Sequence, residues 1–329
     1  MRDLKSFILS FIAIICVAIF GSAFTSCTND DELLVQDTQS KQITSFNQDS
    51  LDILTRGDRS SVEENAGWTL VMDLGSSYGY KLYRKTVSVN HKVYLQKVNL
   101  SMGAKLQFGF GQMSTNPNLP SSPYFKRKLL SSYWNSKPSK AISVTNCSHF
   151  GFDEVELNEV PTVLCFPVKL NGTLKTTGSY NSNSDKRKFG FSFSTQEAWI
   201  SSFNVYTNDQ QTIQNNLLSY NVICGYSPDR DEGLASLGTA SRFMIGIKDQ
   251  DNDASGKKEV LYLLTYYGTQ SGAKQQLINV GCSSSDIIML DGSGSAEMIA
   301  KNPDDNSATQ YEYHKDYRTI PNVIYVCKP

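Results

Sequence analysis

The sequence predicts an α+β fold in which a mixed, twisted β-sheet forms the core and a few helices flank it. Short runs rich in β-branched and aromatic residues recur along the chain, which contains 17 tyrosines and 16 phenylalanines. Such runs favour strands. Helix-like stretches are fewer, and no repeat appears at the periods of solenoid proteins. Sheet therefore dominates the predicted fold.

The predicted elements follow from alternating or continuous apolar runs and from turn residues between them. Strands are predicted at residues 68–74, 92–100, 106–110, 141–145, 162–168, 242–247, 260–266, 286–290 and 323–326. Helices are predicted at residues 124–134, 209–218 and 272–280. The second of these helices begins with Asp209, a residue type that caps helix N-termini.

The last part of the chain predicts a βαβ unit. Strand 260–266, helix 272–280 and strand 286–290 follow one another, so the two strands are expected to be parallel. The second strand runs into Asp-Gly-Ser-Gly-Ser at 291–295. Ligands bind beyond the carboxyl ends of such strands, and a Gly-rich turn lets backbone N–H groups approach an anion. Taken alone, the same five residues are more typical of a structural tight turn.

The N-terminus has the layout of a secretory signal. Arg2 and Lys5 precede an apolar run at residues 7–20, which is shorter than the ~20 residues that span a bilayer as a helix. The run leads to Phe-Thr-Ser-Cys at 24–27, which resembles a lipobox. Residues 1–27 are therefore predicted to be a lipoprotein signal peptide, with Cys27 as the lipidated residue. The alternative is an ordinary signal peptide with an unrelated cysteine.

The residues after Cys27 predict where the protein resides. The acidic cluster at 30–32 resembles the surface-export signal of some Gram-negative lipoproteins, although it could also be linker charge. We expect an outer-membrane lipoprotein that faces the cell surface, with a periplasm-facing one as the alternative, held by its acyl chains. Residues 28–64 are polar and predict a flexible tether. Residues 65–329 are long enough for one large domain.

Charge and cysteine content exclude several classes of protein. The net charge is −1 and only 19% of residues are charged, so no nucleic-acid partner is expected. Five cysteines follow Cys27, an odd number at wide spacing, which is no disulfide framework, although one pair could oxidise. Only Cys147 has a histidine nearby, His149, which is too little for a zinc site. The sequence requires no metal and no cofactor.

Several segments, in the same order, resemble the phosphodiester glycosidase family. They are 80–100, 141–150 (AISVTNCSHF), 168–174 (VKLNGTL), 241–247 (SRFMIGI), 290–295 (LDGSGS) and 317–326 (YRTIPNVIYV). The family has Leu-Asp-Gly-Gly-Gly-Ser after a strand and a closing strand that begins Arg-x-x-Pro-Asn. The resemblance covers nearly the whole predicted domain. It implies hydrolysis of a sugar-1-phosphodiester of the N-acetylglucosamine type, or of a related glycoside.

The chain departs from the family pattern at two places. The family has Asp-Gly-Arg or Asp-Gly-Gln where this chain has Tyr267-Gly-Thr, so a carboxylate is missing. Glu297 could replace it, unless strand alternation points that side chain to solvent. Ser293 replaces a glycine, which is tolerable unless the residue needs a positive φ. The missing carboxylate favours an alternative function, in which a catalytically impaired member binds a glycan or a partner protein.

The resemblance implies catalytic roles for three residues. Asp291 would act as acid, base or nucleophile. Arg242 would bind the phosphate, because a guanidinium fits its oxygens. Asn146 would donate a hydrogen bond to sugar or phosphate. The structural alternatives are an Asx turn for Asp291, a surface salt bridge for Arg242 and a turn-forming role for Asn146.

Five further residues are implied in substrate binding. Gly292, Gly294 and Ser295 would offer backbone and hydroxyl donors to the anion. Arg318 would be a second cation, or would equally hold the C-terminal strand by a salt bridge. His149 would move a proton, or would be a partly buried histidine with satisfied hydrogen bonds. The expected partner is thus a glycan or glycosyl phosphodiester, with the membrane reached through the lipid anchor.

Overall fold

The computed structural model describes residues 60–151, 161–179, 185–205, 207–230, 238–250, 256–313 and 318–329. The chain divides into two units, Met1–Gly57 and Asp58–Pro329, and the described residues all belong to the second. The predicted signal peptide, the lipidated Cys27 and the tether up to residue 59 lie outside the described residues. No helix in the described part is long and apolar enough to cross a membrane.

Strands are the main regular structure of the described chain, and the helices are short. The strands are β1 (Thr69–Leu74), β2 (Tyr80–Ser88), β3 (His91–Asn99), β4 (Lys105–Phe110), β5 (Met113–Ser114), β6 (Tyr124–Lys126), β7 (Ala141–Asn146), β8 (Pro161–Thr162), β9 (Val168–Leu170), β10 (Thr173–Thr176), β11 (Lys186–Ser192), β12 (Glu197–Ser202), β13 (Asn221–Tyr226), β14 (Ala240–Lys248), β15 (Val260–Gly268), β16 (Ile287–Met289), β17 (Met298–Ala300), β18 (Tyr311–Tyr313) and β19 (Asn322–Cys327). The helices are α1 (Val62–Asn65), α2 (Gly75–Tyr78), α3 (Leu130–Asn135), α4 (Gln210–Asn216) and α5 (Gln270–Asn279).

These strands form two main sheets and a small third one. The large sheet has the order β1-β2-β3-β15-β14-β16-β13-β11-β12, with β9 beside β13 and β10 beside β9. The second sheet has the order β18-β17-β7-β19-β4, and the third pairs β5, β6 and β8. The predominance of sheet with a few helices agrees with the predicted α+β class.

The predicted βαβ unit is not confirmed. β14 lies between β15 and β16 and is antiparallel to both, so the two predicted parallel strands do not pair with each other. A strand that comes earlier in the chain thus takes the place between them. The carboxyl end of β16 still leads into the turn at Asp291.

Two other predicted elements differ from the structure, and one helix start is confirmed. The predicted helix at 124–134 begins as β6 because Tyr124–Lys126 pair with β5 and β8, and only Leu130–Asn135 is helical. The predicted strand at 162–168 is interrupted, since Leu164 forms an isolated bridge to Phe150. The Asp209 side chain accepts a hydrogen bond from the Thr212 N–H at 2.7 Å and caps α4 as predicted.

A buried glutamine links the two main sheets. Gln96 lies on β3 of the large sheet and is fully buried. Its Nε2 donates to Thr145 Oγ1 on β7 at 3.0 Å, and its Oε1 accepts from the Tyr80 hydroxyl at 3.2 Å. The buried amide forms hydrogen bonds through both its nitrogen and its oxygen. Displacement of either sheet would leave a buried polar atom without a partner, which costs free energy. Gln96 thereby helps to fix the position of β7, which ends at the candidate site.

Glu63 anchors helix α1 beneath the large sheet. Its carboxylate is fully buried and contacts the Tyr262 hydroxyl at 2.6 Å and Lys97 Nζ at 2.9 Å. Burial alone would raise the pKa of Glu63, but the hydrogen bonds from Tyr262 and Lys97 outweigh it and the pKa is lowered from 4.5. The folded unit therefore includes residues just before the predicted boundary at 65.

We expect Glu63→Ala to lower the free energy of unfolding by about 3 kcal/mol, because Lys97 and Tyr262 lose their partner in a buried place. Since the folded pKa is depressed, this stabilisation is present above pH 4.5 and is lost as pH falls through the lower folded value. Urea unfolding at pH 7 and at acid pH measures both effects. The exposed neighbour Glu64 is the control: a similar loss in Glu64→Ala would contradict the assignment.

Candidate functional site

Asp291 is held between the two main sheets. The N–H of Leu290 donates to Phe243 O on β14 at 2.9 Å, and the N–H of Asp291 donates to Cys147 O, just after β7, at 3.1 Å. Consecutive residues are thus bonded to different sheets. The Asp291 carboxylate therefore lies at their junction, and it is mostly buried.

Asn146 fixes this junction. Its Nδ2 donates to Asp291 O at 2.7 Å, and its Oδ1 accepts from the Glu297 N–H at 3.2 Å. The side chain is 1% exposed. Because both amide atoms bond to the backbone, Asn146 holds the turn in position, and its predicted contact with sugar or phosphate stays a prediction.

His149 faces the Asp291 carboxylate. Its Nδ1 lies 3.5 Å from Asp291 Oδ1, and its ring meets the edges or faces of Tyr226 and Phe166 at centroid distances of 4.9 and 5.6 Å. The backbone O of His149 accepts from the Cys165 N–H at 2.8 Å, which holds the residue in place. His149, which the sequence predicted to move a proton, thus lies next to the predicted catalytic carboxylate, and its role stays a prediction.

Arg242 brings a buried positive charge to the same region. It lies on β14, is 3% exposed, and its Nη2 donates to Gly238 O at 2.8 Å. Burial lowers the pKa of its guanidinium, which nevertheless stays charged. Among the described residues, no carboxylate forms an ion pair with it. A buried guanidinium without a counter-charge is costly, and a bound anion would remove that cost.

Four buried side-chain atoms in this region lack a hydrogen-bond partner among the described residues. They are His149 Nε2, Arg242 Nε, Asp291 Oδ2 and Ser295 Oγ. Buried polar atoms are nearly always bonded, so each such exception needs an explanation. An ordered water molecule or a polar ligand is the kind of partner that satisfies such atoms.

The turn after Asp291 packs closely on strand β14. A Cβ at Gly292 would lie 2.9 Å from Ser241 O, so only glycine fits there. The Ser295 N–H closes the turn on Gly292 O at 3.2 Å, and both Gly294 and Ser295 are buried. The predicted binding residues Gly292, Gly294 and Ser295 are thus adjacent to Asp291.

Ser293 occupies the strained position in this turn. Its φ is +57°, a conformation that costs a non-glycine residue about 1–2 kcal/mol. The side chain itself is exposed and contributes little packing.

We expect Ser293→Gly to raise the free energy of unfolding by roughly 0.5–1 kcal/mol, since relief of the strain exceeds the entropy that glycine adds to the unfolded chain. Urea denaturation measures the change. Ser293→Ala keeps the strain and is the control, with no gain expected. A glycine variant less stable than the alanine variant would show that the serine side chain has another role.

Arg318 and Asn322 are both buried. Burial, and after it the positive charge of Arg318, lowers the pKa of the buried Arg127. Asn322 Oδ1 accepts from the Ser148 N–H at 3.1 Å, and its Nδ2 donates to Ser148 Oγ at 3.0 Å. Asn322 thus braces the segment that carries His149. Neither Arg127 nor Asn322 was predicted as a site residue. The place of Asn322, after a proline and at the start of a strand, was a signal for it.

Tyr267 and Glu297 are the two residues that bear on the missing carboxylate. The ring of Tyr267 is stacked on that of His91, with centroids 3.9 Å apart and 5° between planes. Glu297 is 2% exposed, so the alternative in which it points to solvent is wrong. Its backbone bonds in both directions to Asn146, which puts this second carboxylate next to the residue that braces Asp291.

The cysteines provide neither a disulfide nor a reactive thiolate. All five described cysteines are free. Burial, together with the Asp291 charge, raises the pKa of Cys147 and of Cys165 to about 12, so both thiols are neutral. Within the described ranges, no cluster of three or more His, Cys, Asp or Glu side chains is placed to hold a metal ion.

Comparison with known proteins finds a distant likeness in fold. No protein-family profile matches the chain. No curated protein matches it. Among solved structures, the chain is similar to the catalytic domain of zebrafish N-acetylglucosamine-1-phosphodiester alpha-N-acetylglucosaminidase, auto-inhibited by its pro-peptide, with a TM-score of 0.43, 14% identity, and coverage of 80% of this chain and 82% of that chain. The likeness is a distant fold relationship, and no activity is inferred from it.

Proposed function

We propose that the protein is a hydrolase that cleaves a sugar-1-phosphodiester of the N-acetylglucosamine type, or a related glycoside, at the cell envelope. The observation that carries the proposal is the group of buried, unpartnered polar atoms on His149, Arg242, Asp291 and Ser295. Their chemistry suits a substrate that carries both a phosphate and a sugar. A cation faces the phosphate, and a carboxylate–imidazole pair faces the reacting bond.

Each residue has a role in the proposed reaction. His149 Nε2 accepts a proton from water while Asp291 Oδ1 stabilises the imidazolium through Nδ1. The water oxygen bonds to the anomeric carbon, and the bond from that carbon to the phosphate oxygen breaks with its electron pair on oxygen. Arg242 neutralises the phosphomonoester that leaves, and Asp291 Oδ2 offsets positive charge on the sugar.

The rival function is binding of a glycan or partner protein without turnover. Tyr267, stacked on His91, occupies the position where the phosphodiester glycosidase family has a carboxylate. This observation favours the rival unless the His149–Asp291 pair supplies the acid–base chemistry.

An assay of the purified chain distinguishes the two functions. The substrates are p-nitrophenyl- and UDP-linked phosphodiesters of N-acetylglucosamine, with His149→Gln as the inactive variant. Release of sugar that depends on His149 supports the hydrolase. Saturable binding without release supports the rival. If the chain neither binds nor hydrolyses these compounds, the assignment of substrate class is wrong.

The proposal also includes the lipid anchor at Cys27 and exposure at the outer-membrane surface. It is supported by the lipobox-like sequence and by the acidic residues at 30–32. Cys27→Ala should release the protein from membranes and abolish labelling by a radioactive fatty acid. Proteolysis of intact cells separates the surface-facing orientation from the periplasm-facing one.

A further inference from the structure

A groove of about 450 Å³ runs beside the edge strand β4 of the second sheet. Its apolar wall contains Phe108 and Phe110 from β4, Phe191 from β11, and Phe193 just after β11, which we call the phenylalanine groove. Rings of Phe108 and Phe191 stack at 5.8 Å, and Phe191 and Phe193 lie 5.4 Å apart. All except Phe191 are partly exposed. A row of partly exposed aromatic rings on a soluble domain marks a contact surface.

The rim of the phenylalanine groove is positively charged. Lys105 and Lys175 line it and are exposed, whereas no carboxylate among the described residues lines it. Neither lysine forms an ion pair with another described residue. The whole chain has a net charge of −1, so this positive rim is a local feature that suits an anionic ligand.

Polar groups alternate with the rings. Gln107 and Asn171 are exposed at the lip, and Asn221 shapes it by accepting the Asn171 N–H at 2.9 Å. β4 is the last strand of its sheet, so one side of its backbone also presents donors and acceptors to the groove. An alkyl chain would leave these groups unpaired, whereas sugar hydroxyls would bond to them while the apolar face of the ring packs on phenylalanine.

A second cavity of about 360 Å³ is lined in part by Met113, Pro120 and Pro123. Lys175 lines both cavities. The walls come from several strands instead of β4 alone, which favours a ligand that uses rings and side chains over a peptide that adds a strand to β4.

We propose that the phenylalanine groove binds an acidic oligosaccharide, in which carboxylate or sulfate groups pair with Lys105 and Lys175. None of its residues belongs to the His149–Asp291 site, so the groove holds a glycan without cleaving it. β4 pairs with β19, and Phe110 lies opposite Asn322, the residue that braces the His149 segment. A glycan in the groove is thus held beside β19, the strand that carries Asn322.

Isothermal titration of the full chain tests the proposal at low salt with tetragalacturonate, a chondroitin sulfate tetrasaccharide, maltotetraose and dodecanoate. We expect saturable binding of at least one acidic tetrasaccharide, weaker binding as NaCl is added, and little binding of maltotetraose. The K105Q/K175Q double variant should bind about tenfold more weakly, since each exposed charge contact contributes modestly. The two acidic probes show whether carboxylate or sulfate is preferred.

Two further variants make the result decisive. Phe193→Ala should weaken binding without changing the thermal midpoint much, because the ring is only partly buried. Lys92→Gln on β3 removes one exposed charge away from the groove and is the control for each single variant, K105Q and K175Q. K105Q/K175Q should not change turnover of small p-nitrophenyl substrates, so a failure of the groove proposal is separate from a failure of the hydrolase proposal. Absence of acidic-glycan binding, binding unchanged in K105Q/K175Q, or tighter binding of dodecanoate would overturn it.

Discussion

Asp291→Asn is expected to lower kcat for a sugar-1-phosphodiester about a thousandfold, in the range that a positioned acid–base group provides. The amide keeps the size of the carboxylate but removes the charge that stabilises the His149 imidazolium. The backbone O of Asp291, which accepts from Asn146, is unchanged, so the turn should keep its position. Steady-state kinetics measure the loss, and thermal unfolding checks that the fold is intact.

Asp286→Asn is the matched control for this prediction. Asp286 is also buried near the end of the large sheet, but it pairs with Lys258 at 2.6 Å and lies before β16. Its variant should lose stability and keep kcat within about twofold, since it touches no residue of the site. Asp291→Asn with more than a tenth of normal kcat would assign Asp291 to a structural turn.

Arg242→Gln is expected to lower kcat/KM for phosphodiesters about a hundredfold, as the loss of a charge-assisted contact to phosphate predicts. The same change should leave the free energy of unfolding equal or higher. A buried guanidinium without a described ion-pair partner is costly in the empty protein, and a neutral amide removes that cost. Activity and stability should therefore move in opposite directions.

A neutral substrate and a second arginine test this interpretation. Turnover of a neutral p-nitrophenyl glycoside, where it occurs, should fall much less in Arg242→Gln, because it carries no phosphate. Arg187→Gln is the control, since Arg187 Nη1 donates to Ser284 O at 2.8 Å and should affect stability alone. If Arg242→Gln destabilises the fold and spares turnover, Arg242 is a structural residue.

Much of the strand pattern was predictable from local sequence. β3, β4, β7, β14 and β15 lie within a residue or two of the predicted strands. Each contains several of the apolar, aromatic or β-branched residues that are enriched in strands. The elements that were predicted wrongly are those whose structure depends on strand pairing. Tyr124–Lys126 are a strand only because β5 and β8 lie beside them.

The sequence by itself determined which residue types form the turn at 291–295. Asp291, Arg242 and His149 were predicted from it because they lie in the segments that resemble the phosphodiester glycosidase family. Tertiary structure alone decided how they act. It paired His149 with Asp291 across 142 positions, and it directed both amide atoms of Asn146 to the backbone. It also gave Ser293 a positive φ and buried Glu297. Residue type is local chemistry, whereas hydrogen-bond partners and burial depend on how distant strands meet, and no local pattern records that.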